Sequence, residues 1–165
     1  MKIGALLIVL GLVGSACNSV QENSRPACDS FASLRLMSAA VPQAAYVPCV
    51  RSLPVGWRFG GMTIEDGEAD FALRSEGGTI SVDLKHRCDT SKMIRQTSDE
   101  PKARFYRSLQ SNGKTQIGAY VFAGGCAKYI LRSASRPPGS VIRLLKEGIA
   151  LQRAPSKDRK DGDEL

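Results

Sequence analysis

The sequence predicts an α+β fold: a small antiparallel β-sheet, made of a meander and a second hairpin, with a short N-terminal helix and a C-terminal amphipathic helix. Three observations carry that expectation. Between Met62 and Lys85 apolar residues alternate with polar ones, the period-2 pattern of strands with one buried face. Turn sequences containing glycine, Asp66-Gly67, Ser75-Glu76-Gly77-Gly78, Asn112-Gly113 and Ala123-Gly124-Gly125, interrupt the extended segments. Helical spacing of apolar residues is clearest near the two ends, over Phe31–Val41 and Val141–Ile149.

The domain predicted from these elements spans residues 28–155. At 165 residues, 42% hydrophobic and 24% charged, the chain suits one domain with its own core. In its N-terminal part, Asp29 or Ser30 can cap a helix in which Phe31, Leu34, Met37 and Val41 recur at helical spacing until Pro42 stops it. Tyr46 to Val55 holds Pro48 and Pro54 around Cys49, which argues for an extended edge or loop.

The meander follows. Asp66-Gly67 is expected to supply the positive backbone angles of a two-residue turn. Closing the chain there sets Glu65 opposite Glu68, Ile64 opposite Ala69 and Met62 opposite Phe71, so the apolar residues share one face at the cost of two like charges at the tip. After the second turn, pairing Leu73 with Ile80 places Phe71 beside Val82 and Ala69 beside Leu84. Residues 89–110 show no steady period: Ser98 could start a helix with Phe105 and Leu109 on one face, or the segment could be a ragged strand. Gln116–Phe122 and Cys126–Leu131 read as the second hairpin. Pro137 and Pro138 close the sheet, and Ser140 can cap a helix with Val141, Leu144, Leu145 and Ile149 as its apolar stripe. That helix could pack on the sheet or lie on a membrane surface. Residues 156–165 form a charged tail. Its last residues, Asp163-Glu164-Leu165, look a little like a secretory retrieval signal, with Gly162 where a basic residue is expected.

The first sixteen residues read as a signal peptide: Lys2, an apolar and glycine run from Ile3 to Val13, then small residues. The run is shorter than the roughly 17 apolar residues needed to span a bilayer. Gly14-Ser15-Ala16-Cys17 resembles the lipobox of bacterial lipoproteins. That resemblance implies a lipid-modified Cys17 as the first residue of the mature protein, a membrane anchor, and an extracytoplasmic location. Gly14 and Ala16 equally suit an ordinary signal peptidase, which would cut the same bond and leave a soluble secreted protein. Residues 17–27 are expected to form a flexible tether.

Five cysteines leave an odd one in an exported protein. A lipid on Cys17 would account for it, leaving Cys28, Cys49, Cys88 and Cys126 as an even set for disulfides in an oxidising compartment. The sequential pattern, Cys28 with Cys49 and Cys88 with Cys126, is one of three pairings that the sequence allows. No Cys-x-x-Cys pair is present, so the expected role is stability.

Charge is divided along the chain, whose formal net charge is +7. Nine acids face five bases between Met62 and Glu100, whereas ten bases accompany Glu147 alone between Pro101 and Pro155. One consequence is a surface whose basic half partly faces its acidic half. The other is a basic face, formed by Lys102, Arg104, Arg107, Lys128, Arg132, Arg143 and Lys146, that meets anionic lipid or wall polymer. Export argues against nucleic acid as the partner, and protein partners are not indicated.

Catalytic signals are weak. His86 is the single histidine, and alternation from Leu84 places it on the apolar face beside Cys88. A hydrolase using His86 with Asp83 or Asp89 can be written, but no Gly-x-Ser-x-Gly accompanies it. A metal site from His86, Cys88 and Asp89 lacks a second ligand cluster. No cofactor motif is present. The expectation is a non-enzymatic, membrane-anchored envelope protein with a binding or structural role, with a small exported hydrolase as the alternative.

Overall fold

Side-chain alternation builds about half of the described residues into antiparallel strands. The computed structural model describes residues 20–22, 24–109, 113–134 and 144–155. In chain order the elements are β1 (Val20–Glu22), α1 (Phe31–Ala40), β2 (Tyr46–Val50), β3 (Arg58–Glu65), β4 (Glu68–Ser75), β5 (Gly78–Lys85), β6 (Met93–Gln96), β7 (Arg104–Ser108), β8 (Thr115–Phe122), β9 (Gly125–Ser133) and β10 (Ile149–Arg153). Eight strands form one antiparallel sheet in the order β1-β3-β4-β5-β9-β8-β7-β6, and β2 pairs with β10 in a second. The large sheet is therefore two meanders, β3–β5 and β6–β9, joined where β5 pairs with β9.

The expected register of the first meander holds. Glu65 pairs with Glu68, Ile64 with Ala69 and Met62 with Phe71, and on the next strand Leu73 meets Ile80, Phe71 meets Val82 and Ala69 meets Leu84. The turn differs in detail. Gly67 has φ 83°, whereas no non-glycine described residue has positive φ, so Asp66 does not. A Cβ makes the left-handed region costly for Asp66, and the Gly67 N–H is fixed by donating to the Ala40 carbonyl at 2.9 Å. The like charges at the tip are offset from the third strand, where Lys85 Nζ lies 2.7 Å from Glu68 Oε1.

The inner face of this sheet carries the core. Leu34, Met37, Ala40 and Val41, from α1 and the residue after it, pack with Phe71, Leu73, Ile80, Val82, Leu84 and Leu131, and with Val47 and Val50 of β2. Phe31 departs from the expected helical stripe, being 43% exposed. Ser30 occupies the N-cap, but its side chain makes no capping bond to the backbone; its hydroxyl donates to Ser33 Oγ instead. The loop after α1 docks on the β8–β9 turn, where Ala45 N–H donates to the Ala123 carbonyl. Gly124, at φ 72°, passes so close to the Gln43 carbonyl that no side chain fits.

One open reading closes and two expectations need correction. Residues 89–110, undecided from the sequence, hold β6 and β7, so the helix alternative is not realised. The segment read as a flexible tether contains β1, because the edge of β3 offers backbone groups that Val20–Glu22 can pair with. Its last residues are also fixed, with Val50 N–H donating to the Pro26 carbonyl at 2.8 Å and Cys28 N–H to the Val50 carbonyl at 3.2 Å. Near the C-terminus, Leu144–Gly148 is a single π-helical turn and Ile149–Arg153 is a strand. Gly148 makes that change of direction possible: its carbonyl accepts from Arg51 N–H, and a Cβ there would strike the Leu144 side chain. The start of the expected C-terminal helix, Ser140 to Arg143, lies outside the described residues. So do the leader, Cys17 and residues 156–165.

Two disulfides close the domain, Cys28–Cys49 and Cys88–Cys126, the sequential member of the three pairings. Oxidised cysteine pairs are consistent with an extracytoplasmic location. Among the described residues no helix is long and apolar enough to cross a membrane.

Candidate functional site

Strand register decides which charged side chains share a surface. Opposite the core, one row across the sheet reads Arg95, Tyr106, Ala119, Lys128, Asp83, Asp70 and Thr63 from β6 to β3. A neighbouring row reads Arg104, Val121, Cys126, Lys85, Glu68 and Glu65. Arg132 stands on the same face, between Thr79 and Thr115. This outer face thus carries its acids on β3–β5, where Arg58, Arg74 and Lys85 stand among them, and only bases on β6–β9, and the two halves meet where Asp83 pairs with Lys128.

Crowding of acids shows in their protonation. Burial raises the Asp70 pKa above its ordinary value, and Asp83, Glu68 and Glu65 push it the same way against a hydrogen bond from Thr63. Burial also raises Asp83, although Lys85, Lys128 and Arg132 oppose the shift. Lys85 is raised chiefly by its hydrogen bond to Glu68.

The connection from β5 must travel past β9, β8 and β7 to reach β6 at the far edge. It does so on the outer side, pinned where Cys88 is bonded to Cys126. Within it, Asp89 accepts from Ser91 N–H at 2.9 Å, and these Ser91 hydrogen bonds lower its pKa, with Lys92 and Lys128 adding to the effect.

The sequence-predicted basic residues divide between surfaces. Arg104, Lys128 and Arg132 share the outer face. Arg107, three residues beyond Arg104, falls on the inner side opposite Gly118. Lys102 lines a separate cavity of about 220 Å³ with Tyr46, Glu100, Pro101, Ala103, Leu151 and Arg153. Arg143 and the Lys146 side chain lie outside what is described. Arg95 joins the outer face and was missed from the sequence, because it sits in the acid-rich stretch.

Beside Arg107 the inner face carries an aromatic group that the sequence reading did not assemble. Phe105 lies 4.9 Å from Tyr120 and 6.2 Å from Tyr129, centroid to centroid. The Tyr129 ring covers Gly118, its partner in register, where a Cβ would collide with it. Tyr120 donates its hydroxyl to Asp99 Oδ1 at 2.8 Å. Burial pushes the Tyr129 pKa up to about 12, against the pull of Arg107. Burial, then the hydrogen bond to Asp99, also drives Tyr120 upward. Both phenols therefore stay protonated at neutral pH and serve as hydrogen-bond donors and packing surface. A signal for this group was present in the second hairpin, whose register sets an aromatic residue against a glycine.

His86 does not lie on the apolar face. Pairing of β5 ends at Lys85, so the alternation stops one residue short, and His86 is exposed with Nδ1 3.2 Å from the Gly124 carbonyl oxygen. Cys88 is consumed by its disulfide. Among the described residues no three His, Cys, Asp or Glu side chains are grouped as a metal ion would require. Comparisons with protein-family models, with curated proteins and with solved structures find no match for this chain.

Proposed function

We propose that this protein is an exported domain held at the membrane by a lipid on Cys17, with a non-enzymatic binding or structural role in the cell envelope. In this reading the basic half of the outer face meets anionic lipid or wall polymer. The observation that carries it is the sorting of charge on one sheet face, with Arg95, Arg104, Lys128 and Arg132 together on β6–β9 and the acids kept to β3–β5. Sorted charge of one sign steers and holds a polyanion, where the same residues scattered would not. The two disulfides support export.

The anchor has a geometric consequence. Cys17 precedes the first residue of β1 by three positions, and an extended chain spans at most about 3.5 Å per residue. A lipid on Cys17 would keep the β1 edge within roughly 10 Å of the bilayer surface, and with β1 and β6 at opposite edges the outer face would have to lie along the membrane for the β6–β9 bases to reach it.

Two measurements test the proposal. Intact-mass analysis of the membrane-extracted protein, with and without reduction, reads cleavage, acyl chains and disulfides together; a mature protein without acyl mass removes the anchor. For the basic face, the non-acylated Cys17→Ser protein should float with vesicles of anionic lipid at about 0.01 M salt and release near 1 M, as the Debye length falls from about 30 to 3 Å. Lys128→Glu combined with Arg132→Glu should weaken flotation severalfold. Equal flotation at both salt concentrations would sink the electrostatic contact.

A further inference from the structure

We infer that the open cavity at the β6–β7 end of the sheet binds phosphate-bearing ligands, with Arg95 and Arg104 as paired oxyanion contacts. The inference rests on the reading of the basic face given above and names the chemical group bound there.

Register brings the two arginines together. Arg95 pairs with Tyr106, and Arg104 lies two residues from Tyr106 on the same strand, so both project from the outer face as diagonal neighbours. Such neighbours stand about 7–8 Å apart at the backbone, within reach of long side chains. They line one cavity of about 810 Å³ with Gln96, Thr97, Ser98 and Ala103. Among the described residues neither arginine is ion-paired, and no carboxylate lines the cavity.

The loop between the strands explains why the cavity holds no acid although Asp99 and Glu100 are in it. Asp99 reaches the inner side, where it accepts the Tyr120 hydroxyl. Glu100 Oε1 accepts the Leu151 N–H at 3.4 Å, also on that side. The turn is fixed by Ser98, whose hydroxyl accepts from Glu100 N–H and donates to the Glu100 carbonyl, and by Ala103 N–H, which donates to the same carbonyl. Both acids are thus held away from the arginines, leaving two adjacent positive forks uncompensated.

An arginine fork binds two oxygens at once. One carboxylate satisfies one fork, whereas a phosphate or diphosphate group offers enough oxygens for both, and Thr97 stands beside them in the lining. The cavity is far larger than a phosphate and leaves room for the group to which it is esterified. Lipid head groups and soluble phosphate compounds share this chemistry.

Pyrophosphate is the probe. Titration calorimetry on the purified full-length protein, at constant low ionic strength, should show saturable binding that weakens at least tenfold in the Arg95→Gln, Arg104→Gln double variant. Arg58→Gln, an exposed arginine on β3 at the opposite side of the sheet, should bind as the parent does. Both variants should melt at the parent temperature, showing that they fold. Flotation of the non-acylated Cys17→Ser forms of parent and variant with vesicles containing phosphatidic acid separates the sources. If the double variant loses both pyrophosphate and vesicles, the ligand is a lipid head group; if it loses pyrophosphate alone, the ligand is a soluble phosphate compound. No pyrophosphate binding by the parent, or equal affinity in the double variant, overturns the inference. In that event, salt-sensitive flotation of the parent would leave the broader basic-face proposal standing, and its absence would remove both.

Discussion

The two meanders of the large sheet are made by the same antiparallel pairing, yet they use their inner faces differently. In β3–β5, Phe71, Leu73, Ile80 and Leu84 have no accessible surface, because α1 and the small β2–β10 sheet cover them. In β6 and β7 no residue is fully buried, and Ile94 is 44% exposed. The first half holds the fold together. In the second half β8 and β9 still join the core through Phe122, Ala127 and Leu131, whereas β6 and β7 extend beyond it and carry Arg95, Arg104, Phe105 and the loop that sorts Asp99 from Arg104.

This division can be broken most directly by truncating one apolar side chain in each half. Phe71→Ala removes a fully buried ring and should cost about 3–5 kcal/mol in denaturant unfolding. Ile94→Ala should cost under about 1 kcal/mol, since most of the transfer gain is absent at a half-exposed site. Similar losses in the two variants would mean that β6 belongs to the core after all.

The Cys88–Cys126 bridge is the covalent tie between the halves, since it pins the connection that leaves β5 and crosses to β6. It closes a separation of 38 residues, and replacing both cysteines by serine should destabilise the protein by roughly 3–4 kcal/mol. The Cys28–Cys49 bridge, at a separation of 21, should be worth slightly less, about 3 kcal/mol. Hydrogen exchange sharpens the contrast: loss of Cys88–Cys126 should deprotect β6 and β7 before β4 and β5, whereas uniform deprotection would show one cooperative unit.

The same division governed what could be read from the sequence. Around Phe71 the alternation, the Gly67 turn and the single apolar face all require one register, and that register is present. Met93–Gln96 buries neither face, so its four residues leave no periodic trace; backbone pairing with β7 holds it, and pairing is silent in sequence. Ile149 misled for another reason. Its spacing from Leu144 and Leu145 mimics a helical stripe, but its partner is Val50, about a hundred residues earlier, and a distant strand overrides a local period. Within the candidate site, Arg104, Lys128 and Arg132 were legible as charges. That Arg107 falls on the opposite face from Arg104 is decided by strand parity, which needed β7 to be recognised as a strand first.

The smallest expected effect concerns the acidic half of the outer face. Asp70 faces Asp83 across the strand pair, and its pKa is raised by burial and by neighbouring acids. A carboxyl with a raised folded-state pKa binds protons more readily folded than unfolded. Stability therefore falls as pH rises from the unfolded value, near 3.9, through the higher folded value, and the full penalty persists at neutral pH. Asp70→Asn keeps an oxygen to accept the Thr63 hydrogen bond and removes the charge. It should stabilise the protein at pH 7 by about 0.5 kcal/mol, kept small by solvent screening. Asp83→Asn should gain less, because Lys85 and Lys128 lose an attractive partner. Thermal melts from pH 7 to about 3 check the sign: the advantage of D70N should shrink through the acid range and disappear below the unfolded value. An advantage unchanged at low pH would mean that the gain comes from packing and that the acids of β3–β5 store no repulsion.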